Sequence, residues 1–104
     1  MVHTPENIPN IELAGDKRRN IFLCVKETLN NVLKHSKATL LTITIEANQH
    51  LLITIADNGR GIDMENLRQF GNGLKNITRR MQSVGGTFTI KNSNGTLTEL
   101  ELPL

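Results

Sequence analysis

Residues 41–57 read LTITIEANQHLLITIAD, and this stretch decides the predicted fold. Apolar side chains occupy every second position in two runs, first at Leu41, Ile43 and Ile45 and then at Leu51, Ile53 and Ile55. Alternation of this kind is typical of strands with one buried face. Asn48-Gln49, between the two runs, is a turn candidate. The stretch therefore predicts a β-hairpin with one buried face.

A helix is predicted before this hairpin, over residues 16–35, with Asp16 as its N-cap. Its apolar residues recur at helical spacing on one stripe, which consists of Ile21, Phe22, Val25, Leu29, Val32 and Leu33. Residues 1–10 are polar and contain Pro5 and Pro9, so they are expected to form an extended lead-in.

A second helix and a second hairpin are predicted after residue 57. Beyond a short polar turn or helix over residues 63–70, the segment FGNGLKN (70–76) opens a helix that ends at Gly85-Gly86. The apolar stripe of this helix consists of Leu74, Ile77, Met81 and Val84. Residues 87–91 and 97–102 alternate as strands and are joined across Asn94-Gly95.

This order of elements predicts an α/β fold, a two-layer α/β sandwich in which helices cover one face of the sheet. A Rossmann unit would need alternating βαβ crossovers, and the pattern has none. A chain of 104 residues is long enough for one modest core, so one domain is expected over residues 1–104.

Composition narrows the classes of function. The chain has three Phe and no Trp or Tyr, which argues against direct nucleic-acid binding on stacked aromatic rings. A net charge of +2 favours an anionic ligand such as a nucleotide. The single Cys24 excludes an internal disulfide and is predicted to be a small packing residue.

The longest apolar run, IFLCV (21–25), is too short to cross a bilayer. A cytoplasmic domain is expected, with a membrane anchor elsewhere in the full-length protein left open.

The first helix carries the first of three polar features. Glu27, Asn31 and Lys34 fall within about 60° of one another, opposite the apolar stripe. A solvated helix face explains them and is the favoured explanation for this helix alone. Their chemistry also suits a site, because an Asn amide oxygen can bind Mg²⁺, a Lys can meet phosphate and a Glu can act as a base.

The second feature is the stretch DNGRG (57–61) at the end of a predicted strand. The Asp57 carboxylate can accept a hydrogen bond from an exocyclic amine such as that of adenine. Gly59 and Gly61 would let a flat base approach the backbone. A tight turn explains the stretch equally well. A Ca²⁺ loop is a poor alternative, because the spaced acidic ligands are missing.

The third feature is GNGL (71–74) at a helix start, where free backbone N–H groups bind phosphate readily. Alone it is a weak signal, since it completes neither the dinucleotide fingerprint nor the P-loop motif. The functional interpretation depends on the three features occurring together in this order.

That succession resembles the ATP-binding catalytic domain of bacterial sensor histidine kinases, within the gyrase–Hsp90–histidine kinase–MutL ATPase superfamily. KETLNNVLKHSKA (26–38) is similar to the family's N-box, and GNGLKNITRRMQSVGG (71–86) to its second glycine box and following helix. The resemblance covers residues 17–104 and implies a Bergerat-type sandwich with a mixed sheet and a short ATP lid. It also implies transfer of the γ-phosphoryl group of MgATP to a histidine on a separate dimerisation helix, followed by a response regulator.

The resemblance implies roles for the α-helical residues. Asn31 would coordinate Mg²⁺ between the ATP phosphates, and Lys34 would contact phosphate. His35 occupies a position near the nucleotide. Glu27 matches an acidic residue that acts as a base in ATP-hydrolysing relatives and that helps to position the histidine nucleophile in kinases.

The resemblance implies further roles in the loops and strands. Asp57 would accept from the adenine amine, and Thr96 would line the adenine side. The residues implied to shape the base pocket are Gly59, Gly61 and Ile62. Those implied to form the lid over the phosphates are Gly71, Gly73 and Leu74.

Two departures from the family pattern stand out. The helical hairpin that carries the phosphorylated histidine is missing, and His3, His35 and His50 are no credible phosphoacceptors. The isolated domain is therefore expected to bind ATP as a monomer without autophosphorylating. Only residues 10–14 are available for the strand that usually precedes the first helix. An anti-sigma-type serine kinase and a non-catalytic nucleotide-binding module stay open as alternatives.

Overall fold

The computed structural model describes residues 2–3, 13, 15–35, 37–61, 72–92 and 94–104. The elements follow one another as β1 (Val2–His3), α1 (Gly15–His35), β2 (Leu41–Ala47), β3 (His50–Asp57), α2 (Gly73–Ser83), β4 (Thr87–Asn92) and β5 (Thr96–Pro103). In this part of the chain, neither helix combines the length and the hydrophobicity that a bilayer crossing needs. The turn predicted over residues 63–70 lies outside the described residues.

The five strands form one mixed sheet in the order β1-β2-β3-β5-β4. Strand β1 runs parallel to β2, and the other neighbours are antiparallel. Both predicted hairpins and the predicted α/β class are confirmed. Residues 10–14 were the only segment expected to be available for a strand before α1, but β1 lies earlier, at Val2–His3. Within residues 10–14 only Leu13 is described, and it belongs to no strand.

The core lies between the helices and one face of the sheet. Strand β3 buries Leu51, Ile53, Ile55 and Asp57 on this face, because residues two apart in a strand share a side. The helices contribute buried side chains that belong to the same cluster, which are Ile21, Cys24, Val32, Ile77, Met81 and Val84. The packing of Cys24 is thus as predicted. Asp57 lies at the end of this row of apolar side chains, so it is the polar residue at the edge of the core.

The side of helix α1 that is buried differs from the predicted apolar stripe. Phe22 is 64% exposed and Leu33 78% exposed, so their assignment to the buried stripe is wrong. They are eleven residues apart, about three turns, and therefore share the outer side of the helix. Cys24 and Thr28 are buried instead. The helix begins at Gly15, which places Asp16 in the first turn and not at the N-cap.

Helix α2 follows its predicted pattern. Ile77, Met81 and Val84 are buried, and Leu74 is half-buried. The helix ends in a Schellman motif, in which the Gly86 N–H donates to the Met81 carbonyl at 2.7 Å and the Gly85 N–H to the Gln82 carbonyl at 3.1 Å. Gly85 has a φ of 80°, a left-handed conformation that glycine adopts without a steric penalty.

Candidate functional site

Asp57 ends strand β3 with its side chain buried at 6% exposure. One carboxylate oxygen, Oδ1, accepts the N–H of Gly59 at 2.8 Å and the N–H of Thr96 at 3.3 Å. The other oxygen, Oδ2, is buried and has no hydrogen-bond partner among the described residues. The carboxylate is therefore fixed on one side and offers an acceptor on the other.

Thr96 lies directly opposite Asp57 in the register of β3 and β5. Its hydroxyl is also buried without a partner in the described part of the structure. An unpaired buried polar group costs about 1–3 kcal/mol, so two of them on facing residues call for an explanation. A polar ligand bound against the paired ends of these strands would supply the missing hydrogen bonds.

Two glycines bring the loop after Asp57 against the turn between β4 and β5. Gly95 has a φ of 131°, and a Cβ there would overlap the Asp57 carbonyl. Gly61 has a φ of 78°, and its Cβ would lie 2.7 Å from Asn92 Oδ1. The space beside Gly61 is therefore filled by protein atoms. That Gly61 and Gly59 shape a base pocket stays a prediction.

The α1 and α2 features meet at the first residue of α2. A Cβ on Gly73 would overlap Glu27 Oε1 and would lie 3.5 Å from Asn31 Nδ2. Asn31 is buried and Glu27 is half-buried, whereas Lys34 is exposed. The prediction that all three face solvent opposite the stripe is therefore wrong for Asn31. Packing of α2 against α1 encloses Asn31 beside the buried Val32.

The N-terminus of α2 can receive an anion. Its N-cap residue, Asn72, makes no side-chain hydrogen bond to the first turn, and that turn contains no acidic residue. Backbone N–H groups in such a position carry a partial positive charge that favours phosphate. The half-buried Leu74 lies in the same turn.

The donor set suits Mg²⁺ bound together with phosphate. Within the described ranges, no group of three His, Cys, Asp or Glu residues is placed to hold a metal ion. Mg²⁺ commonly takes only one or two protein oxygens and completes its shell with water and phosphate oxygens. The amide oxygen of Asn31, next to the α2 N-terminus, fits that requirement.

The structure does not describe three of the predicted site residues completely. Ile62 and Gly71 lie outside the described residues, and only the backbone of His35 is described. Sequence reasoning also misses Asn58, whose side chain binds the segment between α1 and β2. The signal that could have found it is the hairpin over residues 41–57, because its pairing of Leu41 with Asp57 brings Leu40 beside Asn58.

The family described as histidine kinase-, DNA gyrase B- and HSP90-like ATPases matches residues 16–104. The sensor histidine kinase YvfT of Bacillus subtilis is 39% identical over 85 residues, which are 81% of this chain and 22% of that protein. The signal transduction histidine-protein kinase/phosphatase UhpB of Salmonella typhimurium is 31% identical over 102 residues, which are 97% of this chain and 20% of that protein. The chain thus spans about a fifth of the length of these relatives.

Solved structures have the same fold. The ATP-binding domain of PrrB from Mycobacterium tuberculosis superposes with a TM-score of 0.69 at 28% identity, covering 82% of this chain and 67% of that one. The blue-light activated histidine kinase EL346 of Erythrobacter litoralis superposes with a TM-score of 0.80 at 23% identity, covering 99% of this chain and 36% of that one. The second similarity concerns the fold alone.

Proposed function

Because this chain belongs to the family of histidine kinase-, DNA gyrase B- and HSP90-like ATPases, we propose that it is the ATP-binding catalytic domain of a sensor histidine kinase. The observation that carries the proposal is the facing pair of buried, unpartnered atoms, Asp57 Oδ2 and Thr96 Oγ1. A second cluster supports it, in which the first residue of α2, Gly73, packs against Glu27 and Asn31 of α1.

Asp57 and Thr96 recognise the adenine end of the nucleotide. An ionised carboxylate is only an acceptor, so Oδ2 pairs with the exocyclic amine of adenine. A hydroxyl both donates and accepts, which lets Thr96 bond to a ring nitrogen or to a water beside it. The two Oδ1 bonds to Gly59 and Thr96 hold the carboxylate for this contact.

The α-helical residues bind the phosphate end. The α2 N-terminus would face the phosphates, the exposed Lys34 would add a positive charge, and the amide oxygen of Asn31 would hold Mg²⁺. When bound, the metal neutralises phosphate charge. Glu27, packed against Gly73, positions the incoming nucleophile.

The reaction that we propose is transfer of the γ-phosphoryl group of ATP to a histidine on a separate dimerisation helix. The phosphoryl group then passes to a response regulator. For such a transfer the protein mainly has to align the reacting groups and to stabilise the charge on the phosphoryl group. The domain acts in the cytoplasm, where ATP is available.

ATP titration of the purified chain, with and without Mg²⁺, tests the proposal. Saturable binding is expected, and Asp57→Asn should weaken it by at least about tenfold, because a lost charge-assisted hydrogen bond is worth about 1.5–3 kcal/mol. Asp16→Asn, at an exposed position in the first turn of α1, is the matched control and should bind like the wild type. A folded wild-type chain that does not bind ATP would overturn the proposal.

Phosphoryl transfer in a system reconstituted with a phosphoacceptor helix tests the metal assignment. Asn31→Ala should lose Mg²⁺-dependent transfer and should keep most Mg²⁺-independent ATP binding. The exposed neighbour Asn30 supplies the control, Asn30→Ala, which should transfer normally. Full transfer by Asn31→Ala would show that Asn31 does not hold the metal.

A further inference from the structure

Asn58 ties the loop after Asp57 to the segment that leads out of α1. Its Oδ1 accepts the N–H of Thr39 at 3.0 Å and the N–H of Leu40 at 2.9 Å. Its Nδ2 donates to Thr39 Oγ1 at 3.0 Å, and its own N–H donates to the Leu40 carbonyl at 3.2 Å. Four hydrogen bonds from one exposed residue thus join two segments that are far apart in sequence.

These bonds continue the β2–β3 hairpin, in which Leu41 pairs with Asp57, into the segment that precedes β2. Thr39 and Leu40 follow α1, which carries Asn31 and Glu27. On its other side, the loop packs through Gly61 against the turn between β4 and β5. The loop is therefore held from both sides, and Asn58 provides the bonds on the α1 side.

The position of Asn58 bears directly on the Asp57 carboxylate. The terminal torsion of an Asp side chain is soft, so hydrogen bonds from outside must set its rotation. The shorter of the two bonds to Oδ1 comes from the N–H of Gly59, at 2.8 Å. That N–H belongs to the peptide group that joins Asn58 to Gly59. Holding Asn58 in place consequently holds the donor that orients Asp57.

We infer that Asn58 is a positioning residue that determines specificity for the 6-amino group of adenine, by fixing the rotation of the Asp57 carboxylate. The inference rests on the proposed function, in which Asp57 Oδ2 accepts from that amine. Without Asn58, the Gly59 N–H can move, the carboxylate can turn, and Oδ2 no longer meets the amine in one defined geometry. Contacts to the ribose and phosphates do not depend on this rotation.

The test compares the affinity for ATP with the affinity for purine riboside 5′-triphosphate, which lacks only the 6-amine. The wild type should prefer ATP by at least about tenfold, because a hydrogen bond to a charged carboxylate contributes about this factor or more to an affinity. Asn58→Ala should lower this ratio toward one. The loss should fall on ATP, with the affinity for the analogue unchanged. Asn58→Asp should restore the ratio, since a carboxylate accepts both N–H groups and the Thr39 hydroxyl can donate to it.

Asn48→Ala, in the turn between β2 and β3, is the matched control and should keep the wild-type ratio. An unchanged ratio in Asn58→Ala, or an equal loss of affinity for both nucleotides, would overturn the inference. If Asn58→Ala does not fold, Thr39→Val, which removes the acceptor of the Nδ2 bond, is judged by the same ratio. A wild type that binds neither nucleotide would instead overturn the proposed function.

Discussion

At the scale of single residues, we expect the Thr96 hydroxyl to contribute to ATP binding but not to the stability of the fold. Its hydroxyl is buried without a partner in the described structure, so removing it should cost the folded protein little. We expect Thr96→Val to leave the free energy of unfolding unchanged or to raise it by up to about 1 kcal/mol. ATP affinity should fall, since we propose that this hydroxyl binds the adenine end of the nucleotide. Urea unfolding and ATP titration measure the two effects.

Thr28 provides the matched control for this substitution. It is equally buried, but its hydroxyl donates to the Cys24 carbonyl at 2.8 Å. Thr28→Val should therefore lower the free energy of unfolding by about 1 kcal/mol and leave ATP affinity unchanged. Equal destabilisation by the two substitutions would contradict a Thr96 hydroxyl without a partner, and an unchanged ATP affinity in Thr96→Val would contradict its assignment to ligand binding.

Cys24 makes the stability of the fold depend on pH. Burial raises the pKa of its thiol above the ordinary value of 9.0, and the nearby Arg80 opposes this only in part. The unfolded chain therefore loses this proton at lower pH than the folded one. The contribution to stability is complete below pH 9.0 and declines as the pH rises through the folded pKa.

We expect the free energy of unfolding to fall as the pH rises above 9.0, and to fall less steeply in Cys24→Ala. Urea unfolding across this range compares the two slopes, and a lower stability of the variant at neutral pH does not affect the comparison. Parallel slopes would contradict a titrating thiol in the core.

At the scale of elements, local patterns predicted most of the structure. Alternation and turn residues identified both hairpins, and the Gly85-Gly86 pair identified the end of α2. The rotation of α1 could not be predicted in the same way, because Ile21 and Phe22 are adjacent apolar residues only about 100° apart. Packing against α2 selects the side that carries Cys24 and Thr28. The local sequence alone does not determine which side of α1 is buried.

The C-terminus of α2 allows a test of backbone conformation alone. A Cβ on Gly85 would meet no atom within 4 Å, but its φ of 80° is unfavourable for alanine. Gly85→Ala should therefore lower the free energy of unfolding by about 1 kcal/mol. Gly15, at the start of α1, has equal space and no such φ, so Gly15→Ala should be neutral or stabilising. Urea unfolding of both variants gives the difference, and equal values would contradict the strain at Gly85.

At the scale of the whole molecule, the order of strands creates the site. The two hairpins could be predicted, but not that β3 and β5 would be neighbours. This adjacency places Thr96 opposite Asp57, and it depends on how the hairpins pack under the helices. The bonds of Asn58 to Thr39 and Leu40 instead continue the β2–β3 hairpin, in which Leu41 pairs with Asp57. Site residues at the ends of elements were therefore predictable, whereas the pairing of Asp57 with Thr96 was not.

Because α1, β3, α2 and β5 all contribute to the site, only the folded chain binds the nucleotide as proposed. A ligand that binds only the folded state stabilises it by about 2.7 kcal/mol at a concentration of 100 times Kd. For a domain of this size, that corresponds to a rise in Tm of about 10–20 °C.

We expect ATP with Mg²⁺ to raise the Tm by this amount in the wild type and in Asp16→Asn. At the same ATP concentration, Asp57→Asn should show a clearly smaller rise, since its Kd is higher. Thermal unfolding followed by circular dichroism gives all three values. The same rise in Asp57→Asn as in the wild type would mean that ATP stabilises the fold without the Asp57 contact, and the adenine site would then have to lie elsewhere.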